Sequence, residues 1–269
     1  MAILLRGRSR PTIRTEGHLQ EQVLTLNLEA AARSHAGLVR VSNQDSFGVD
    51  AELGLYVVCD GMGGAAGGEI ASLLAVETFL AIARQEIQSS PLFNGAVSSV
   101  ALQRAVAAAN RAVIARAQWD IVYRGMGSTL VAARLKGDKL SVINVGDSRA
   151  YLIRDGHATQ LTEDHSFVAE SVRRGMMAAA EAETSPLQSV ITRAIGAEPD
   201  VRPDLFEVPL QPGDALLLTS DGLTRHVHPH ELAEVLSYAS TADHACDLLL
   251  DLANRRGGSD NITCIVVRV

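Results

Sequence analysis

The chain has 269 residues, enough for one large domain or two small ones around an ample core. Nearly half of it is hydrophobic (47%), which excludes disorder as the main state, and 24 basic against 31 acidic residues give a net charge of −7, which argues against an electrostatic grip on nucleic acid. Three scattered cysteines, Cys59, Cys246 and Cys264, are too few for a disulfide framework or a thiolate zinc site, so a reducing, cytoplasmic compartment is expected.

Residues 1–27 show no clear period. Met1 to Leu5 are apolar and precede Arg6, Arg8, Arg10 and Arg14, the reverse of a signal peptide, so this stretch reads as a solvated N-terminal extension. No apolar run reaches the roughly 18–20 residues of a membrane span. Residues 28–269 carry no linker, low-complexity block or repeat and read as one domain. Within them, strands are predicted at 37–41 and 55–59. Three more follow at 128–135, 140–145 and 149–154. The turn signals Lys136-Gly-Asp-Lys139 and Gly146-Asp147-Ser148 separate them, and the close spacing predicts an antiparallel meander. Later strands are predicted at 215–219 and 262–269.

Helices alternate with these groups. Ile70, Leu73, Leu74, Val76, Phe79, Leu80, Ala83 and Ile87 recur at three- and four-residue spacing, an amphipathic stripe. Asn94 is placed to cap a second helix running to about Gln118. Pro229 suits a first helical position, and Thr241 suits the cap of a last helix ending at Gly257-Gly258. Paired long helices between meandering strands fit an α+β arrangement of antiparallel sheets covered by helices.

The aspartates carry the functional signal. Asp60 and Asp221 each follow a predicted strand, and Asp260 precedes one; in antiparallel pairing the end of one strand neighbours the start of the next, so the three can meet at one rim, with Asp45 beside them. Asp-Gly is also a common turn pair, and Asp155-Gly156 is assigned to that bland role. Asp60 differs, because Gly61-Met62-Gly63-Gly64-Ala65-Ala66-Gly67-Gly68 packs five glycines into eight positions, as suits a backbone in close approach. Several unpaired carboxylates repel one another unless a cation intervenes, and an all-oxygen cluster selects a hard ion, Mg²⁺ or Mn²⁺. Two such ions about 3.5–4 Å apart activate water and offset phosphoryl charge.

At these residues the chain resembles the metal-dependent protein phosphatases of the PPM family (protein phosphatase 2C type), in their compact bacterial branch. The matching segments run in order from Gly37-Leu-Val-Arg40-Val-Ser-Asn43-Gln44-Asp45-Ser46 and Cys59-Asp60-Gly61-Met62-Gly63-Gly64 to Gly125-Met-Gly127-Ser128-Thr129. Asn144-Val-Gly146-Asp147-Ser148-Arg149, Ile195-Gly196, Thr219-Ser220-Asp221-Gly222-Leu223 and Gly257-Gly258-Ser-Asp260-Asn261 complete the set. The resemblance implies a four-layer αββα sandwich of two antiparallel β-sheets flanked by helix pairs. It also implies a binuclear Mn²⁺ or Mg²⁺ centre whose activated water hydrolyses phosphoserine and phosphothreonine in proteins. Asp60 is then expected to bridge both ions, the Gly61 carbonyl to complete one shell, Asp221 and Asp260 to bind the other ion, and Asp45 to act through water. Arg40 is expected to hold the substrate phosphate with its planar guanidinium.

Three departures qualify the resemblance. Met62 stands where many eukaryotic members have a histidine, Gln44 where glutamate is common, and Asp120 is the nearest acid for a third ion although it lies upstream of the usual slot. Residues 164–194 correspond to the family's variable flap, and His165 beside it is a candidate for substrate contact. His226, His228 and His230 alternate, but Pro229 interrupts them, and a polar loop entering a helix is the stronger reading. Asp147 is expected to organise its turn, Cys59 to be a small core residue and Trp119 to pack against the core. Phosphorylated proteins and a cognate Ser/Thr kinase are the implied partners. Two rival classes stay open, a non-catalytic phosphoprotein-binding pseudophosphatase and a two-metal phosphodiesterase. The complete set of Asp60, Asp221, Asp260 and Arg40 counts against the first, and the lack of His-rich motifs against the second.

Overall fold

The computed structural model describes residues 28–89 and 96–269; the N-terminal extension and the expected cap Asn94 lie outside the described residues. The chain opens with β1 (Glu29–His35), β2 (Asp45–Asp50) and β3 (Leu55–Met62), followed by α1 (Gly64–Ser89) and α2 (Ala96–Trp119). A run of strands comes next: β4 (Gly127–Ser128), β5 (Leu130–Lys136), β6 (Lys139–Val145), β7 (Arg149–Arg154) and β8 (His157–Gln160). The short helices α3 (Phe167–Arg173) and α4 (Ala179–Ala182) lie in the segment expected as a flap. Then follow β9 (Asp204–Pro209), β10 (Ala215–Thr219), α5 (Asp221–Thr224), α6 (Pro229–Tyr238), α7 (Ala242–Arg255) and β11 (Ile262–Arg268).

The strands form two antiparallel sheets, one ordered β1-β11-β10-β7-β8 and the other β2-β3-β5-β6-β9 with β4 beside β3. Strand alternation builds three cores from them. On β3, Leu55, Val57 and Cys59 face α1 and α2, where they meet Phe79, Leu102 and Val106. Tyr56 and Val58 point the other way and join Leu152, Leu216, Leu218 and Ile265 of the second sheet. The outer face of that sheet packs Leu217, Cys264 and Val266 against Leu232, Leu249 and Ala253 of α6 and α7. The layers are therefore helix, sheet, sheet, helix. Strands buried on both faces read as continuous apolar runs, as β10 does in Ala-Leu-Leu-Leu-Thr. Burying one such Leu contributes about 1.5–3 kcal/mol, and Leu218→Ala between the sheets would cost about 2–5 kcal/mol.

Most predicted elements appear, with caps as expected: Pro229 is the first residue of α6, and the Thr241 hydroxyl accepts the His244 N–H at the start of α7. Three expectations are corrected. Residues 37–41 form a turn rather than a strand, because the position beside β11 belongs to β1; Leu38, Val39 and Val41 consequently have no layer to enter and stay exposed. The meander breaks at Gly146-Asp147-Ser148, since β6 lies in one sheet and β7 in the other. Gly146 makes this crossing with φ +105, where a Cβ would meet Thr129 Cγ2 at 2.6 Å. Trp119 is 85% exposed at the end of α2, with the Arg116 guanidinium 5.8 Å from its ring.

Candidate active site

One rim of the sandwich gathers the acids. Asp45 opens β2 and stands opposite Asp60 near the end of β3. Asp221 comes after β10 with one residue between, and Asp260 comes just before β11, the strand paired with β10. Asp147 sits on the link between the sheets. Asp60, Asp147, Asp221 and Asp260 line one cavity of about 470 Å³ with Arg40 and Arg225, a volume within the range of small-molecule sites.

The surrounding motifs hold these acids in place. The Asp60 N–H donates to Thr129 Oγ1 at 2.9 Å, and its carbonyl accepts the Thr129 N–H at 2.8 Å and the Ser128 hydroxyl at 3.0 Å. Thr129 Oγ1 lies 2.6 Å from Ser148 Oγ, which ties β5 to the crossing between the sheets. Gly61 is required by packing: a Cβ there would come within 2.0 Å of the Gly68 carbonyl oxygen, so the end of β3 touches the start of α1. Asn261 braces the loop that carries Arg40. Its amide donates to the Ala36 and Ser42 carbonyls, and its side-chain oxygen accepts the Gln44 N–H at 2.8 Å. From that loop Arg40 reaches Asp260 with Nη2 at 2.8 Å.

Burial raises the Asp60 carboxyl well above the ordinary value, and the charges of Asp45, Asp221, Asp147 and Asp260 push in the same direction. Asp45 is raised to about 7, first by burial and then, against hydrogen bonds from Thr263 and Ser220, by Asp221 and Asp260. Asp147 also rises to about 7, through burial and the charges of Asp221 and Asp164. Two carboxylate oxygens, Asp45 Oδ1 and Asp221 Oδ1, are buried with no hydrogen-bond partner. An orphaned buried acceptor costs about 1–3 kcal/mol, and more when charged. Crowded, desolvated, all-oxygen groups of this kind fit a hard divalent cation. Among the described residues, no three acidic, imidazole or thiol side chains are placed closely enough to hold a metal ion as they stand; Asp260 is paired with Arg40 and Asp221 with Arg225.

Two expected site residues lie elsewhere. Asp120 does not line the cavity; its carboxylate accepts the Val122 N–H at 3.1 Å and caps the short turn Ile121–Tyr123. His165 is fully buried rather than facing substrate. Its Nδ1 accepts the Gly146 N–H at 3.1 Å, and Nε2 lies 2.9 Å from Asp204 Oδ2, so both ring nitrogens are engaged, one on the sheet crossing and one at the start of β9. His226 bonds Ser259, and His228 precedes α6 as its cap, in line with a loop entering a helix. Sequence reasoning missed Arg225 and Ser189, which also line the cavity, and placed Asp147 only in support of its turn. Arg225 had a legible signal, since it stands four residues after Asp221, the spacing of a helical ion pair.

Comparison with known proteins agrees with this architecture. Residues 33–259 match the family described as Protein phosphatase 2C. The serine/threonine phosphatase stp of Listeria innocua is 37% identical over 243 residues, covering 89% of this chain and 95% of that protein. The crystal structure of the Mycobacterium tuberculosis serine/threonine phosphatase PstP/Ppp matches with a TM-score of 0.80 at 37% identity, over 91% of this chain and 99% of that one. The catalytic domain of PstP in complex with two manganese ions matches with a TM-score of 0.78 at 36% identity, over 90% and 97% of the two chains. The αββα layering, the shared rim of aspartates and this extent of likeness place the chain in the protein phosphatase 2C family.

Proposed function

We propose that the chain is a metal-dependent phosphatase that removes phosphate from phosphoserine and phosphothreonine in proteins. The observation that carries the reading is the convergence of Asp60, Asp147, Asp221 and Asp260 with Arg40 on one cavity, with Asp45 Oδ1 and Asp221 Oδ1 left as orphaned acceptors. Asp60, Asp221 and Asp260, with the Gly61 carbonyl, would hold two Mn²⁺ or Mg²⁺ ions. When bound, the ions supply Lewis acidity toward the phosphoryl oxygens and activate water as the nucleophile. The relative solved with two manganese ions supports that metal choice.

The chain's own residues do the rest. Arg40 offers a planar fork of donors to the phosphate while its Nη2 is steadied by Asp260, a charge-assisted geometry that Lys cannot copy. Asn261 and Gln44 keep the Arg40 loop against the rim. Among the described residues, neither His nor Cys lines the cavity, so none of them offers an imidazole or thiolate as nucleophile there. Met62, which lines it, has no proton to give, and the leaving alkoxide must take its proton from water. The substrates would be products of a Ser/Thr kinase in the cytoplasm; no helix among the described residues is long and apolar enough to cross a membrane.

The test is hydrolysis of p-nitrophenyl phosphate and of a phosphothreonine peptide by the purified chain with Mn²⁺, then with EDTA. Mn²⁺-dependent release that EDTA abolishes is expected. Binding of phosphopeptide without turnover would mean a pseudophosphatase, and preference for bis-p-nitrophenyl phosphate a diesterase.

A further inference from the structure

The two oxygens of Asp221 have different fates. Oδ2 accepts Nε of Arg225 at 2.9 Å and also its Nη2, whereas Oδ1 is buried without a partner. The same Nη2 donates to Ser189 Oγ at 3.1 Å. Ser189 belongs to the 164–194 segment, and with Ile191 it forms part of the cavity wall. Nearby backbone bonds pin this stretch: the Val190 carbonyl accepts the Phe167 N–H at 2.8 Å, and the Thr192 N–H donates to His165 at 2.7 Å. Arg225 is the C-cap of α5, whose first residue is Asp221, so one helical turn sets their spacing independently of the flap.

We propose that Arg225 is a positioning residue that acts as a strut between the cation site and the flap. It grips Asp221 by one oxygen and leaves the other for the cation, and through Ser189 it passes the state of that carboxylate to the flap. The inference rests on the metal-dependent reading above. A carboxylate that ligates a metal is commonly oriented by an outer hydrogen-bond partner, whose loss weakens affinity about 10–100-fold. The guanidinium suits the task because its donors are fixed in one plane, so holding Asp221 also determines where Ser189 must sit. Coupling of this kind is reciprocal: whatever steadies the flap on Ser189 tightens the cation, and the cation steadies the flap.

The experiment measures Mn²⁺ binding by titration calorimetry and amide hydrogen exchange of the peptide spanning 185–192, with and without Mn²⁺. Wild type, Arg225→Gln, Arg225→Lys and Ser189→Ala are compared. Mn²⁺ is expected to slow exchange of that peptide in wild type. Arg225→Gln is expected to weaken Mn²⁺ binding about 10–100-fold and to abolish the slowing; Arg225→Lys keeps the charge but restores neither in full. Ser189→Ala is expected to lose the slowing and, by the same reciprocity, to bind Mn²⁺ more weakly than wild type but less so than Arg225→Gln, and this variant touches no core contact. Unchanged Mn²⁺ affinity in Arg225→Gln, full rescue of both readouts by Arg225→Lys, slowing that survives in Ser189→Ala, or wild-type exchange indifferent to Mn²⁺ overturns the strut and leaves the metal-dependent reading standing. A wild-type chain that binds no Mn²⁺ overturns both.

Discussion

Asp45 stands directly opposite Asp60 in the β2–β3 ladder, and the Ser220 hydroxyl, from the other sheet, donates to Asp45 Oδ2 at 2.8 Å. Like charges at opposed strand positions destabilise a sheet, and here burial magnifies the effect.

A pH dependence follows for the cation-free chain. Asp45 rises from an ordinary 3.8 to about 7, so between those values the folded chain keeps a proton that the unfolded chain has released. The stability from this group is complete below about pH 4 and is lost as pH rises through about 7. Asp45→Asn removes the titration. In EDTA, the melting temperature of the variant relative to wild type is expected to be higher at pH 8 than at pH 5, by roughly 2–4 °C per kcal/mol recovered. Scanning calorimetry at the two pH values checks this; a difference that does not vary with pH contradicts it.

Asp60→Asn and Asp221→Asn are each expected to lower turnover of p-nitrophenyl phosphate by about 10³-fold or more, roughly 4 kcal/mol of barrier, with far-ultraviolet circular dichroism unchanged. The fold should survive because both substitutions relieve carboxylate crowding. Near-normal rates at saturating Mn²⁺ would remove these residues from the metal site.

Arg40→Ala is expected to raise KM for a phosphopeptide about 10–100-fold, the range of a lost charge-assisted bond, with a smaller change in kcat. Arg40→Lys should recover only part of it, since the fork is lost. Steady-state kinetics on one phosphopeptide decides; an unchanged KM in the alanine variant would exclude a phosphate contact.

His165→Ala tests a structural role. Removing a buried ring whose two nitrogens serve Gly146 and Asp204 is expected to cost about 2–4 kcal/mol and lower the melting temperature by about 5–15 °C. A raised KM for substrate at wild-type melting temperature would instead return His165 to the substrate.

Much of this was legible in one sequence. Period-3.6 stripes marked α1, and Asp155-Gly156 marked the turn that ends β7, because those signals are local, whereas β8 beyond that turn was not expected. The placement of acids at strand ends was legible too, since antiparallel pairing dictates which ends meet. What escaped depended on tertiary packing. β1 reads Glu-Ala-Ala-Ala-Arg-Ser-His, a poor strand by propensity, and it forms because β11 offers a free edge. The 37–41 stretch has the apolar residues of a strand without a neighbour to pair with. His165 was placed near the site by its position beside the flap, whereas its ring is settled by Gly146, nineteen residues away, which no local pattern announces. Asp120 was placed there as the acid nearest the third-ion slot, although its bond to the Val122 N–H is a local cap that the sequence could have shown.

The three-residue passage from β6 to β7 has a mechanical consequence. Asp60 is carried by one sheet and the Asp221–Asp260 pair by the other, so the distance across the catalytic pocket is the distance between two separately built slabs. Gly146-Asp147-Ser148 works as a rivet at the edge where that gap matters, with Thr129 and His165 as its washers. Lengthening this linker by a residue would let the slabs slide while leaving each hydrophobic face intact, yielding a well-folded protein with Asp60 out of reach of Asp221 and Asp260. Loop insertions remote from this seam, such as at Asp155-Gly156, carry no such penalty.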